Sequence, residues 1–226
     1  GSAARAGETL TIVATTGMIA DTVRKVGGDL VAVRGLMGAG VDPHSYRQTR
    51  TDIVAMTRAD LIFANGLRLE AQMAAFLETL SAQVPVIEVA ATVPVEDLRA
   101  HPVYPDQVDP HIWMAPPLWS YASEKVGEVL IERMPHAVEQ IDEALHMALM
   151  DCSELDAYAR DALATVPEPA RVLVSAHDAF GYFGRAYGLD VVGIQGLSTE
   201  SEAGLNRIAE VVDLLVTRKI GAVFVE

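Results

Sequence analysis

The sequence predicts an α/β protein of two lobes, each a parallel sheet flanked by helices, joined by one long helix. Three observations predict it. Short runs of Val, Ile and Leu bounded by Gly alternate with amphipathic stretches through the first half, the order expected of a parallel sheet covered by helices. Residues 137–165 then hold helical periodicity without a break, roughly 43 Å at 1.5 Å per residue, too long for the wall of a small sheet and suited to a strut. Finally, the strand–helix alternation restarts near residue 171.

The first strand is predicted at 9–14 (TLTIVA) and the second at 31–36 (VAVRGL), both short and rich in branched residues. Between them, Met18, Ile19, Val23 and Val26 fall at helical spacing over 17–27. A helix over 49–58 leads into a strand at 60–64 (DLIFA), followed by a helix over 69–80 and a strand at 85–88. These strands are apolar throughout rather than alternating, as strands buried on both faces must be. Residues 89–116 are proline-rich and lack periodicity, which predicts an ordered but irregular rim. Helices follow over 117–133 and 137–165, parted by Met134-Pro135. The second half reads as strand 171–175, helix 178–187, strand 190–194, helix 201–217 and strand 221–225. No helix follows that last strand to cover it, so the second lobe is expected to be incomplete. The expected segments are a first lobe over 8–116, a helix over 117–136, the connecting helix over 137–166 and the second lobe over 167–226.

Composition narrows the function. The net charge is −14, with a pI near 4.8. This excludes nucleic acid, whose binding needs basic patches, and disfavours an anionic membrane surface. An acidic field does attract divalent cations. Cys152 is the only cysteine and sits in a helical run, so neither a disulfide framework nor a thiolate cluster is available. Nothing resembling an apolar span of about 18 residues occurs, and no secretory signal is read at the N-terminus.

The most informative residues are three histidines in similar turns: His44 in VDPHSY, His111 in VDPHIW and His177 in VSAHDAF, 67 and 66 residues apart. Neutral imidazole is the commonest protein ligand for transition metals. His44 follows the strand at 31–36 through the Gly-rich turn MGAGVDP, and His177 lies two residues past the strand at 171–175. Ligands of open α/β sheets bind at the carboxyl ends of strands. The Asp-Pro pairs at 42–43 and 109–110 stiffen the backbone ahead of His44 and His111, because proline locks its own φ and biases the residue before it. Asp178 reads as a helix N-cap. His101, His136 and His146 fall in a loop, at a helix boundary and within a helix, and are not read as ligands.

The stretch from Ala14 to Glu70 (ATTGMIADTVRKVGGDLVAVRGLMGAGVDPHSYRQTRTDIVAMTRADLIFANGLRLE), with DPHIWMAP, SAHDAFGYFGRAYGL and GIQGLSTESEAG further on, resembles the cluster A-I (TroA-, ZnuA- and PsaA-like) solute-binding proteins over residues 9–226. These serve ABC transporters that import zinc or manganese. The resemblance implies two lobes joined by a long rigid helix, with a divalent metal ion held between them and delivered to a membrane permease. It implies a periplasmic or extracytoplasmic, monomeric, non-enzymatic protein. It places the first three metal ligands on His44, His111 and His177, and the fourth, an aspartate, beyond Glu226. Some manganese-binding members carry a carboxylate at the third position, where this chain has His177. Many zinc-specific members carry a long His- and Asp-rich loop near the second ligand; here that segment is short (AHPVYPDQVDPH), with His101 as its one extra histidine.

Three imidazoles and a carboxylate favour Zn²⁺ over Mn²⁺ by ligand type and by the Irving–Williams order, so zinc is the expected ion and manganese the alternative. Affinity should fall as pH drops through the histidine range. Asn65, Glu70 and Asp109 are candidates for orienting the ligand rings. Two rival readings are a zinc hydrolase, with Glu70 or Asp178 as its base, and an adhesin or structural zinc protein. The hydrolase is opposed by the absence of an HExxH pair and of a GxSxG nucleophile motif.

Overall fold

The computed structural model describes residues 9–102, 104, 106–200 and 202–225. Glu8, Ser201 and Glu226, at the edges of three expected segments, lie outside the described residues. Strand β1 (Leu10–Ala14) leads into α1 (Gly17–Gly27), β2 (Val31–Gly35), α2 (Arg50–Arg58), β3 (Leu61–Ala64), α3 (Ala74–Leu80) and β4 (Val86–Glu88). All pairings are parallel, in the order β2-β1-β3-β4, with Ile12 opposite both Val33 and Leu61.

Neighbouring strand residues enter two different cores, which is why the strands are apolar without alternation. Ile12, Ala14, Leu61 and Phe63 face Ile19, Val23 and Val26 of α1. Val13, Ile62 and Ala64 face Met56 of α2 and Leu77 and Leu80 of α3. The chain thus changes faces after β2, and the crevice of such a sheet opens at the carboxyl ends of its strands where the order reverses. Helix α2 begins with a complete capping box between Thr49 and Asp52, which satisfies backbone donors the helix leaves free.

Helices α4 (Pro116–Arg133) and α5 (Val138–Ala164) follow, with proline at the start of α4, where its missing N–H costs nothing. Both pack on the α1 face of the sheet: Leu118, Val126 and Leu130 of α4 and Ile141 and Ala148 of α5 join that core. α5 is 27 residues long, about 40 Å. Its second half exposes Leu155 and Tyr158. β5 (Val172–Ser175), α6 (Gly181–Tyr187), β6 (Asp190–Gly193) and α7 (Leu205–Thr217) then form the second parallel sheet and its helices.

Four elements differ from expectation. The helix expected over 69–80 begins only at Ala74; residues 67–73 form turns with Met73 N–H to Glu70 and Ala74 N–H to Ala71 carbonyl bonds, entered through Gly66, Leu67 and Arg68 at positive φ. The Glu70 carboxylate accepts the Asn65 and Gly66 N–H groups and closes this turn. The helix expected from 178 begins at Gly181, because the Asp178 N–H is drawn to the Gly196 carbonyl. The helix expected over 201–217 spans Leu205–Thr217. The strand expected over 221–225 is reduced to one parallel bridge, Phe224 to Ser175.

Candidate metal centre

Each of the three histidines is carried by a turn at the carboxyl end of the sheets, and the turns converge. His44 Nε2 lies 3.1 Å from His111 Nε2, and His177 Nε2 lies 3.2 Å from the same atom. The rings are tilted or edge-on to one another, with centroids 5.2–5.5 Å apart. All three side chains are buried. On a tetrahedron with metal–nitrogen bonds of about 2.05 Å, neighbouring ligand atoms lie about 3.3 Å apart, so the observed spacing suits one shared ion. The cleft around them measures about 780 Å³ and is lined by Thr16 and Met18 at the start of α1, the Met37–Pro43 turn, Trp113, and Gln195 and Thr199 of the second lobe.

The His111 ring is the most firmly held. Its Nδ1 sits 2.7 Å from Asp109 Oδ1, which also accepts the His111 backbone N–H at 3.0 Å. A carboxylate there draws the proton to Nδ1 and leaves the Nε2 lone pair facing the cleft. The other oxygen of Asp109 pairs with Arg99. Asn65 Nδ2 donates to the Pro110 carbonyl at 3.1 Å. Glu70, fully buried, holds Asn65 from behind and also accepts from the Thr15 hydroxyl at 2.6 Å. Burial raises the Glu70 pKa against those hydrogen bonds. Of the three expected orienting residues, Asp109 touches the His111 ring, while Asn65 reaches the neighbouring Pro110 carbonyl and Glu70 holds Asn65.

The other two turns are built differently. Asp42 accepts the His44 backbone N–H at 2.9 Å, the Ser45 hydroxyl at 2.9 Å and, from the second lobe, the Thr199 hydroxyl at 2.6 Å. Burial opposes ionisation of Asp42, but these hydrogen bonds prevail and hold its pKa below the ordinary value. In the His177 turn the Ser175 hydroxyl donates to the His177 carbonyl at 2.6 Å. A side chain on Gly193 would meet the Asp178 nitrogen at 2.6 Å, so only glycine lets β6 pass this turn so closely. His44 and His177 are both pushed down to about 4, first by burial and then by the electrostatic influence of the neighbouring His111 ring on their protonated forms. Both are neutral at physiological pH, the form that coordinates metal.

His101, His136 and His146 take no part: His101 meets the Tyr104 ring at a tilt, His136 lies in the turn before α5, and His146 lies within α5. The expected aspartate ligand falls outside the described residues. Glu70 and Asp178, proposed as bases of a hydrolase, do not line the cleft. Sequence reasoning missed Thr199, Arg99, Trp113 and Tyr182. Trp113 follows His111 by two residues and meets its ring edge-on at 5.2 Å, a pairing the string HIW could have suggested.

Two parallel-sheet lobes around an inter-lobe cleft define a class, that of solute-binding proteins. The chain belongs to the ZnuA family, described as "Zinc-uptake complex component A periplasmic", whose model matches residues 12–226. This is a family of metal-binding components of ABC transporters and not of enzymes. The chain is 40% identical over 215 residues to the zinc-binding protein TroA of Treponema pallidum, covering 95% of this chain and 69% of that protein. A solved structure of the periplasmic zinc-binding protein TroA from Treponema pallidum superposes with a TM-score of 0.93, covering 96% of this chain and 78% of the other. It is also 40% identical over 222 residues to the manganese-binding lipoprotein MntA of Bacillus subtilis, covering 98% of this chain and 72% of that protein. The Fe(III)-bound structure of YtgA from Chlamydia trachomatis is 29% identical with a TM-score of 0.88, covering 96% of this chain and 80% of the other.

Proposed function

We propose that this protein captures Zn²⁺ outside the cytoplasm, at His44, His111 and His177, and delivers it to the permease of an ABC importer. The observation that carries the reading is the convergence of three buried imidazoles on one point, with Nε2 atoms 3.1 and 3.2 Å apart. Two of those rings resist protonation, and a cluster of buried lone pairs without a cation between them would be repulsive. All three come from one chain, which fits a monomer. Three nitrogen ligands match a borderline-soft ion, and zinc stands above manganese in the Irving–Williams order. A carboxylate in the fourth position would complete the tetrahedron.

Manganese is the second reading, because identity to the protein named for manganese equals that to the protein named for zinc. The test is metal analysis of the purified protein, followed by competition between Zn²⁺ and Mn²⁺. Zinc should be bound at one ion per chain and should displace manganese. His44→Ala, His111→Ala and His177→Ala should each lower zinc affinity more than about 100-fold, the upper range for loss of a residue that merely orients a ligand. His136→Ala should leave it unchanged. Equal loss in His136→Ala would undo the assignment, and preferential retention of manganese would select the second reading.

A further inference from the structure

The two lobes meet on both flanks of the histidine cleft, and the flanks are built from different materials. On one flank Tyr182 of α6 is fully buried within the core of the first lobe. Its hydroxyl donates to the Asp109 carbonyl at 2.8 Å and accepts the Arg99 N–H at 3.1 Å. The guanidinium groups of Arg185 and Arg99 sit over its ring, 5.2 and 5.9 Å from the centroid. Separating the lobes here would expose a whole aromatic ring and leave the buried Asp109 carbonyl without its donor, a large cost.

On the other flank, two side-chain hydrogen bonds join the lobes among the described residues. Thr199 donates to Asp42 at 2.6 Å, and Gln72 hydrogen-bonds Glu200 beside it. Thr199 and Gln72 are half-buried and Glu200 is exposed, so water can replace either bond at modest cost. Asp42 keeps its bonds to the His44 N–H and the Ser45 hydroxyl when Thr199 lets go, so the His44 turn survives the separation.

From this asymmetry, and resting on the reading of the cleft as a metal site, we propose that the Thr199–Asp42 hydrogen bond is a clasp that opens to pass the ion. Tyr182 is the pivot about which it opens. Thr199 is then a positioning residue: it binds no metal, and it sets how fast metal leaves. Thr199→Val keeps the shape and removes the donor, while Thr199→Ser keeps the donor.

The test has two readouts. Zinc-loaded protein is mixed with excess EDTA and metal release is timed; separately, amide hydrogen exchange of residues 195–200 is followed in the metal-free protein. Thr199→Val should release zinc about tenfold faster, the effect of losing one hydrogen bond to a charged, partly solvated group. The same variant should exchange faster at 195–200, and Thr199→Ser should match the parent in both. Release by Thr199→Val at the parental rate, or equally fast release by Thr199→Ser, would overturn the clasp. Failure of the parent protein to take up zinc would instead sink the metal reading. Hydrogen exchange still tests the clasp in that case, and unchanged exchange in Thr199→Val would overturn it.

Discussion

Asp109 spends its two carboxylate oxygens on different tasks. One orients the His111 ring at 2.7 Å and the other holds Arg99. Asp109→Asn keeps the size of the side chain but gives up its charge and offers an N–H where the ring needs an acceptor. Zinc affinity should fall about 10–100-fold, the usual effect of losing the carboxylate behind a ligand imidazole. A chelator competition titration reads this directly; unchanged affinity would mean that the ring is held by packing alone. His44, His111 and Asp109 stood out in the sequence because a proline-stiffened turn writes histidine and aspartate side by side, and His177 because it follows a strand by two residues. Thr199 did not, since its partner Asp42 lies 157 residues away and only the closure of two lobes brings a threonine and an aspartate of ordinary appearance together.

Among the elements, the helices and strands with one apolar face and clear ends were legible: α1 occupies Gly17–Gly27 as its spacing predicts. Over 69–73 helical periodicity persists without a helix, because the chain there closes i to i+3 turns instead. The strand expected over 221–225 failed for another reason: a run of apolar residues makes a strand only when a neighbour pairs with it, and just Phe224 finds one. α6 is short, yet it ties the lobes together, and its contribution can be measured. Tyr182→Phe removes the hydroxyl and leaves the Asp109 carbonyl and the Arg99 N–H without their partner. The metal-free protein should lose about 1–3 kcal/mol, read as a lower urea midpoint at unchanged slope. A midpoint equal to the parent's would show that the ring alone does the joining.

At the scale of the whole molecule, the histidine cluster links stability to pH. In the unfolded chain an imidazole titrates near 6.5, whereas folded His44 and His177 titrate near 4. Between those values the unfolded state takes up protons that the folded state refuses, so acid favours unfolding. Stability of the metal-free protein is therefore full above pH 6.5 and falls as pH drops toward 4. At pH 5 the loss should be about 1–2 kcal/mol for each ring. Urea midpoints at pH 7.5 and pH 5 measure it, and the difference should shrink in His44→Ala. These two rings also refuse protons in competition with metal, so their part in binding should persist to near pH 5, lower than an unperturbed histidine allows. The charge of −14 adds a long-range attraction for cations that salt will screen.

The position of Trp113, edge-on to His111 at 5.2 Å, gives the molecule its own optical reporter. The chain has two tryptophans, and Trp119 donates instead to Thr22 at 3.1 Å and does not line the cleft. In a Trp119→Phe background the remaining indole emission comes from the wall of the cleft. An ion arriving at His111 enters the immediate surroundings of that indole. Zinc, with a filled d shell, alters only its electrostatic environment, while manganese brings unpaired electrons that quench it. The identity of the cargo should thus be visible as a colour shift or a loss of light, without any label.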